Sequence, residues 1–286
     1  MSAKFGPAGN SDSFESMGYK KSIQIPEYLI KMGLDHFEYQ CGRGVNIGLD
    51  KAEQLGKAFN DAGITVSLHA PYYISMSSTE KEKRENSVNY ILQSARAVNA
   101  MGGNRIVVHT GSCGKISRQE ALSLAKDTML LALDALKNEN LSHIHICPET
   151  MGKINQLGTL DEVIELCKLD ESLIPCIDFG HLNARTLGLV NSPEAFDRVL
   201  SAIKNKLGSD RFNSFHSHFS KIEYTTGGEK RHLTFEDTFY GPNFEPLMEL
   251  INKYSLSPTL VCESAGTQAE DAKQMKNYYM SLKPLE

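Results

Sequence analysis

Hydrophobic and polar positions along this chain follow two alternating rhythms. Short, nearly continuous apolar runs read as strands: KFGPAG, HFEYQ, TVSLHAP, NRIVVHTG, HIHICPE, IPCIDFG, FNSFHSHFS and TLVCES. Between them lie longer segments whose apolar residues recur at helical spacing. GLDKAEQLGKAFNDAG opens near a capping Asp50 and stops at Gly63. EKRENSVNYILQSARAVNAMGG ends in paired glycines, and SRQEALSLAKDTMLLALDALKNE begins with Ser117 and Glu120 at capping-box spacing. TLDEVIELCKL, SPEAFDRVLSAIKNKLG, FEPLMELINKY and QAEDAKQMKNYYMSL keep the same period. Strand, helix, strand, repeated about eight times with short joins, is the pattern of βαβ units on a parallel sheet. In a chain of 286 residues it predicts closure into an α/β (β/α)8 TIM barrel, one domain over residues 1–286. An open doubly wound sheet is the alternative, but FGPAGNS, where its phosphate turn would fall, lacks the three-glycine spacing.

Composition narrows the class without changing the fold. With 41% hydrophobic and 23% charged residues the chain is an ordinary globular protein. It has no apolar run of membrane-spanning length, and MSAKFGPAGNSDSF is not a secretory leader, so no membrane association and a cytoplasmic monomer are expected. Six cysteines without a C-x-x-C pair read as reduced core thiols. A net charge of −5 gives no global attraction to nucleic acid, although a local basic surface remains compatible with it.

Candidate chemistry concentrates at the C-terminal ends of the strands, where barrels carry their active sites. The third strand delivers His69, the fourth His109, the fifth Glu149, the sixth Asp178 and His181, the seventh His216 and His218, and the eighth Glu263. A lone His at a strand end is usually a hydrogen-bonded structural group. Six consecutive strands ending in His, Asp or Glu are not scattered by chance. Carboxylates crowded together need cations to stay ionised, and imidazoles mixed with them suit zinc or manganese. The set exceeds one tetrahedral site and suits two or three bridged metals, as used for in-line attack on phosphate esters. Tyr72 and Tyr73 follow His69 and are placed either to pack or to stack on a base or sugar, while Arg43 and Lys153 lie in loops on the same face and read first as solvated charges. His36 and His143 read as structural, and His145 as lying deeper in the barrel.

In HAPYYISM, VVHTGS, PETMGK, CIDFGH, GGEKRH and CESAG, taken in order along almost the whole chain, the sequence resembles the endonuclease IV family of apurinic/apyrimidinic endonucleases, within the xylose isomerase-like barrels. The resemblance implies a trinuclear zinc site: His69 and His109 on one ion, Glu149 bridging to a second completed by Asp178, His216 and Glu263, and His181 with His232 on a third beside Glu229. It further implies hydrolysis 5′ to an abasic sugar in double-stranded DNA, leaving a 3′-hydroxyl. Glu149 and Glu263 would orient the water, and Tyr72, Arg43 and Arg231 would contact substrate.

The sequence departs from that pattern in three places. The family's H-x-N-D-S-K is HSHFSK here, so His218 replaces Asn and Phe219 replaces Asp, and alternation aims both His216 and His218 to one side. The family's D-R-H is KRH, with Lys230 where the acidic ligand belongs and Glu229 one residue earlier. Ser75 stands where Asn is expected. A divergent branch with altered substrate range fits these changes. Two other readings stay open: a sugar isomerase or epimerase, needing only Glu149, Asp178, His216 and Glu263 around one or two metals, and a non-catalytic relative that has lost the third metal.

Overall fold

All eight predicted strands form, in a parallel ring. The computed structural model describes residues 2–282. Its strands are β1 (Lys4–Pro7), β2 (His36–Gln40), β3 (Thr65–His69), β4 (Arg105–Val108), β5 (His145–Pro148), β6 (Cys176–Asp178), β7 (His216–Phe219), β8 (Ile222–Thr225), β9 (Gly228–His232) and β10 (Thr259–Cys262). They pair as two four-stranded half-sheets, β2-β3-β4-β5 and β6-β7-β10-β1, with β8 and β9 forming a separate hairpin. Single bridges join the halves, Ala8 to Glu38 on one side and Glu149 to Cys176 on the other. The result is the TIM barrel, and no helix among the described residues is long and apolar enough to cross a membrane.

The seven predicted helices are present, at Leu49–Asp61, Lys81–Ala100, Arg118–Asn138, Leu160–Cys167, Pro193–Leu207, Glu245–Lys253 and Gln268–Ser281. Their apolar stripes and the outward faces of the strands make the main core, which includes Phe5, Phe37, Leu68, Ile106, Ile146, Phe215 and Leu260. The lumen is different. A small apolar group of Val107, Cys147, Ile174 and Cys176 shares it with buried His36, Glu38, Ser67, His216 and His218. Barrels are usually filled by branched aliphatic layers. Here the interior is a polar column leading to the mouth, and the shell supplies most of the apolar burial. All six cysteines are free and buried.

Three local expectations change. Gly48, not an aspartate, is the N-cap of Leu49–Asp61, and Asp50 lies in the first turn, where its charge complements the helix dipole. An additional helix, Ile25–Met32, joins β1 to β2, begun by a proline in its first turn and stopped by Gly33 in the left-handed region (φ 75°). The third change bears on the site: CIDFGH is not a bare strand-end turn. Asp178 is the N-cap of a helix, Phe179–Arg185, and its carboxylate accepts the His181 backbone N–H at 2.6 Å.

The cap signalled at Ser117 forms, and the structure adds another at Thr159. Ser117 accepts the backbone N–H of Glu120, and Thr159 with Glu162 forms a complete capping box. Glu162 does more than cap: it accepts the N–H groups of Gly158 and Thr159 and two bonds from the Arg118 guanidinium at 2.7 Å each. Burial would raise its pKa, but Arg118 and the backbone donors outweigh that and hold it at about 2. Glu162→Ala is therefore expected to cost about 2 kcal/mol, read from the urea midpoint. Because the folded pKa is depressed, the contribution is full above the ordinary carboxylate value and fades as pH falls toward 2. An unchanged midpoint at pH 7 would contradict it.

Candidate metal centre

The strand-end residues converge on Glu149. Its Oε2 lies 3.0 Å from His109 Nε2 and 3.5 Å from His69 Nε2. Its Oε1 lies 3.0 Å from His218 Nδ1 and 3.4 Å from His181 Nδ1. Asp178 Oδ2 is 3.2 Å from His181 Nδ1, and Glu263 Oε2 is 3.5 Å from His218 Nδ1. Backbone carbonyls, which only accept, fix some of the tautomers: His69 Nδ1–H donates to Ala70 O at 2.8 Å and His181 Nδ1–H to Thr150 O at 3.0 Å. Each ring thereby presents Nε2 to the cavity.

The ligand atoms fall into overlapping sets of mutual reach: His69, His109 and Glu149; Glu149, Asp178, His218 and Glu263; His69, His218 and Glu263; His181, His232 and Glu263; and, one layer down, Cys176, His216 and His218. Alternation left His216 and His218 equivalent; register separates them. His218 pairs with Asp178 and reaches the carboxylates, whereas His216 pairs with Cys176, one layer deeper, and its Nε2 contacts Glu38 at 2.9 Å. Of the two histidines that the sequence left open, His218 stands level with the carboxylate set and His216, expected there from the resemblance, lies below it beside Cys176. Phe219 faces the shell, packed on Phe179 and Phe235.

The hairpin β8–β9 explains the KRH departure. Its pairing runs Glu223↔Arg231 and then Tyr224↔Glu229, so Lys230 is an extra, bulged residue. The bulge turns Lys230 and Arg231 onto Glu223 and turns Glu229 inward. Glu229 Oε2 lies 3.4 Å from His181 Nε2, and its Oε1 is 4.0 Å from His232 Nε2. Gly228 (φ +91°) sets this approach. A Cβ there would sit 2.2 Å from Gly152 O, and one on Gly152 would meet Glu229 Cβ at 2.6 Å. Arg231, expected at substrate, is held by Glu223 instead, with its guanidinium Nε 2.6 Å from that carboxylate.

The electrostatics fit a cation-binding cluster. Burial would raise Glu149, but the His218 charge and the hydrogen bonds of His109, His181 and His218 hold it well below the usual carboxylate range. Burial, reinforced by Glu263 and Glu149, lifts Asp178 to about 6 against the pull of His181. Glu149 Oε2 and Asp178 Oδ2 are buried yet accept no well-aligned hydrogen bond. Buried carboxylate oxygens left this way are costly. Two of them, facing imidazole nitrogens, are what a transition metal would satisfy, so the residues fit the group.

The cluster opens into a cavity of about 430 Å3 walled in part by Tyr72, Met151, Lys153 and Gln156. Tyr72 is 54% exposed, and its ring stacks on His109 at 5.4 Å. Arg43 is exposed in the neighbouring loop, next to Gly42, whose carbonyl accepts the Tyr72 N–H. His36, His143 and His145 bond to Ser67, Asn99 and the Ser172 carbonyl and stand outside the cluster. The residue that strand-end reading missed is Glu38, fully buried in mid-strand; its signal was the alternation of His36, Glu38 and Gln40 along HFEYQ.

Over residues 26–281 the sequence matches the xylose isomerase-like TIM barrel family. The chain belongs to that family. Among xylose isomerase-like barrels and their relatives, an uncharacterized protein of Methanocaldococcus jannaschii is 34% identical over 274 residues, 96% of each chain. A probable endonuclease 4 of Mycoplasma pneumoniae is 26% identical over 236 residues, 80% of this chain and 78% of its own. Of solved structures, a D-tagatose 3-epimerase-like protein superposes with TM-score 0.72 at 19% identity, covering 98% and 97% of the two chains. Endonuclease IV from Thermus thermophilus superposes with TM-score 0.69 at 16% identity, covering 97% and 99%. At such identities the superpositions speak for the fold. The similarity to endonuclease IV expected from the motifs is present.

Proposed function

We propose that this protein is a metal-dependent phosphodiesterase that cuts double-stranded DNA 5′ to abasic sites and leaves a 3′-hydroxyl. One observation carries the reading: a third imidazole–carboxylate set, His181, His232 and Glu263, stands beside the two around Glu149, and Glu229 at the Lys230 bulge lies 3.4 Å from His181 and 4.0 Å from His232 next to it. A sugar epimerase has no need of that set. His69, His109 and Glu149 would hold one zinc or manganese ion, Glu149 with Asp178, His218 and Glu263 a second, and His181, His232 and Glu229 a third. Bound there, such ions supply Lewis acidity and a water of lowered pKa.

The chain's own groups do the rest. Glu149 and Glu263 come from strands separated by β6 and β7, meet at the His218 ring, and orient the attacking water by accepting its protons. Tyr72 offers an exposed ring edge to the sugar or a flanking base, and Arg43 beside it meets a phosphate. An abasic nucleotide reaches the cavity cheaply, because no base pair is lost when it leaves the stack. Tyr72→Ala is expected to raise KM for an abasic duplex roughly tenfold with a smaller change in kcat, the scale of one stacked group. An unaltered KM would remove Tyr72 from the binding surface.

The direct test is incision of a duplex with one abasic site by protein reconstituted with zinc or manganese, with metal counted on the same sample. Incision with about three ions per chain supports the reading. A single ion, no incision and epimerisation of ketohexoses such as D-tagatose would establish the alternative. That alternative draws on the epimerase-like neighbours and on the self-sufficient set of Glu149, Asp178, His218 and Glu263.

A further inference from the structure

We infer that Glu38 is a positioning residue of the metal centre: it holds the far nitrogen of His218, occupies His216, and so decides which histidine of HSHFSK serves as the ligand. The inference rests on the proposed metal centre and extends it inward. Glu38 lies in the middle of β2 with no solvent exposure. An isolated carboxylate there would be prohibitive. Four groups meet it instead. Ser67 Oγ donates to Oε2 at 2.8 Å, and His216 Nε2 lies 2.9 Å from the same oxygen. Gln40 Nε2 donates to Oε1 at 3.3 Å, and His218 Nε2 makes an ion-pair contact with Oε1 at 2.9 Å.

The direction of these contacts matters. His218 has a carboxylate at each nitrogen: Nδ1 makes an aligned hydrogen bond with Glu149 Oε1 at 3.0 Å, and Nε2 lies 2.9 Å from Glu38 Oε1 without hydrogen-bond alignment, so an ion on Nδ1 would leave the ring's proton on Nε2, facing Glu38. A carboxylate behind the imidazole is how metal-ligating histidines are commonly oriented and made more basic. His216 spends its Nε2 on the same carboxylate, and its buried Nδ1 has no partner, so it is withdrawn from the mouth. The column continues below. Ser67 gives its one proton to Glu38, so it accepts from His36 Nε2–H at 2.9 Å, while His36 Nδ1 lies 3.0 Å from Thr65 Oγ1, whose hydroxyl also reaches Asp35 O at 3.2 Å. The bonds from Ser67 and His36 point toward Glu38, which gives the buried His36 and His216 a task in holding that carboxylate.

The test is zinc affinity and stoichiometry of the full chain, measured by competition with a chromogenic chelator, for wild type, Glu38→Gln and Glu38→Asp. Glu38→Gln should weaken zinc at the Glu149–His218 position by about 10- to 100-fold, and Glu38→Asp, which keeps the charge, should restore part of that loss. A purely structural role would lower the Tm of the stripped protein yet leave the affinity of folded protein unchanged; that result overturns the inference. Should Glu38→Gln not fold, 15N NMR of zinc-loaded wild type decides: zinc on His218 Nδ1 with a proton on Nε2 supports it, and zinc on Nε2 overturns it. Wild type that binds no zinc defeats both the metal centre and this inference. Wild type and Glu38→Gln with equal zinc affinity defeat this inference alone.

Discussion

Glu149→Gln is expected to leave a folded barrel with less than about one-thousandth of wild-type incision activity, the scale of removing a group that both activates water and stabilises charge. The size of the effect follows from position. Glu149 belongs to two of the ligand sets and lies within 3.5 Å of nitrogens on four histidines, His69, His109, His181 and His218. A neutral amide would remove the shared charge and turn an N–H toward those imidazoles. Metal content should therefore fall at two positions together. Single-turnover cleavage of an abasic duplex, paired with metal analysis of the same preparation, reads both quantities. Incision within tenfold of wild type with a full metal complement would show that Glu149 is not the centre of the site.

The second large effect is expected at Glu229. Glu229→Ala should remove about one metal equivalent per chain and lower incision about a hundredfold, while Lys230→Ala, at the bulge and paired with Glu223 on the outer side of the hairpin, should leave both near wild type. The same logic sets the comparison between Asp178 and His181. With Glu229 turned inward His181 has a carboxylate partner on each nitrogen, so His181→Ala and Asp178→Ala should cost comparable activity. If His181→Ala and Glu229→Ala were nearly silent while Asp178→Ala was severe, the third set would be idle and the epimerase reading would gain.

The contrast between Glu229 and Lys230 also marks where sequence reading stops. Strands and helices were legible because each carries its own period, and most of the cluster because a barrel gathers its strand ends at one mouth. Depth was not. His216 and His218 share a side by alternation, and only the pairing of β7 with β6 shows which is level with Asp178. The bulge at Lys230 belongs to the partnership of β8 with β9 and to the glycines that let the hairpin press on the loop after β5; neither strand signals it alone. Glu38 was missed because attention to strand ends passes over the middle of a strand. A charged residue flanked by Phe37 and Tyr39 was nevertheless a visible anomaly, since a buried carboxylate requires partners drawn from other strands.

The two half-sheets give the centre a mechanical meaning. Each seam between them is thinner than a full strand pairing, a single bridge and a few backbone hydrogen bonds, and Glu38 and Glu149 are themselves bridge residues, one at each seam. His69, His109 and Glu149 come from one half, and Asp178, His181, His218 and Glu263 come from the other. An ion gripped by both groups would fasten the two half-barrels together like a clasp, and the Glu38 contacts with His216 and His218 already link them one layer down. Loading the site with metal would then stiffen a ring that is already joined, and stripping it would loosen the two halves together.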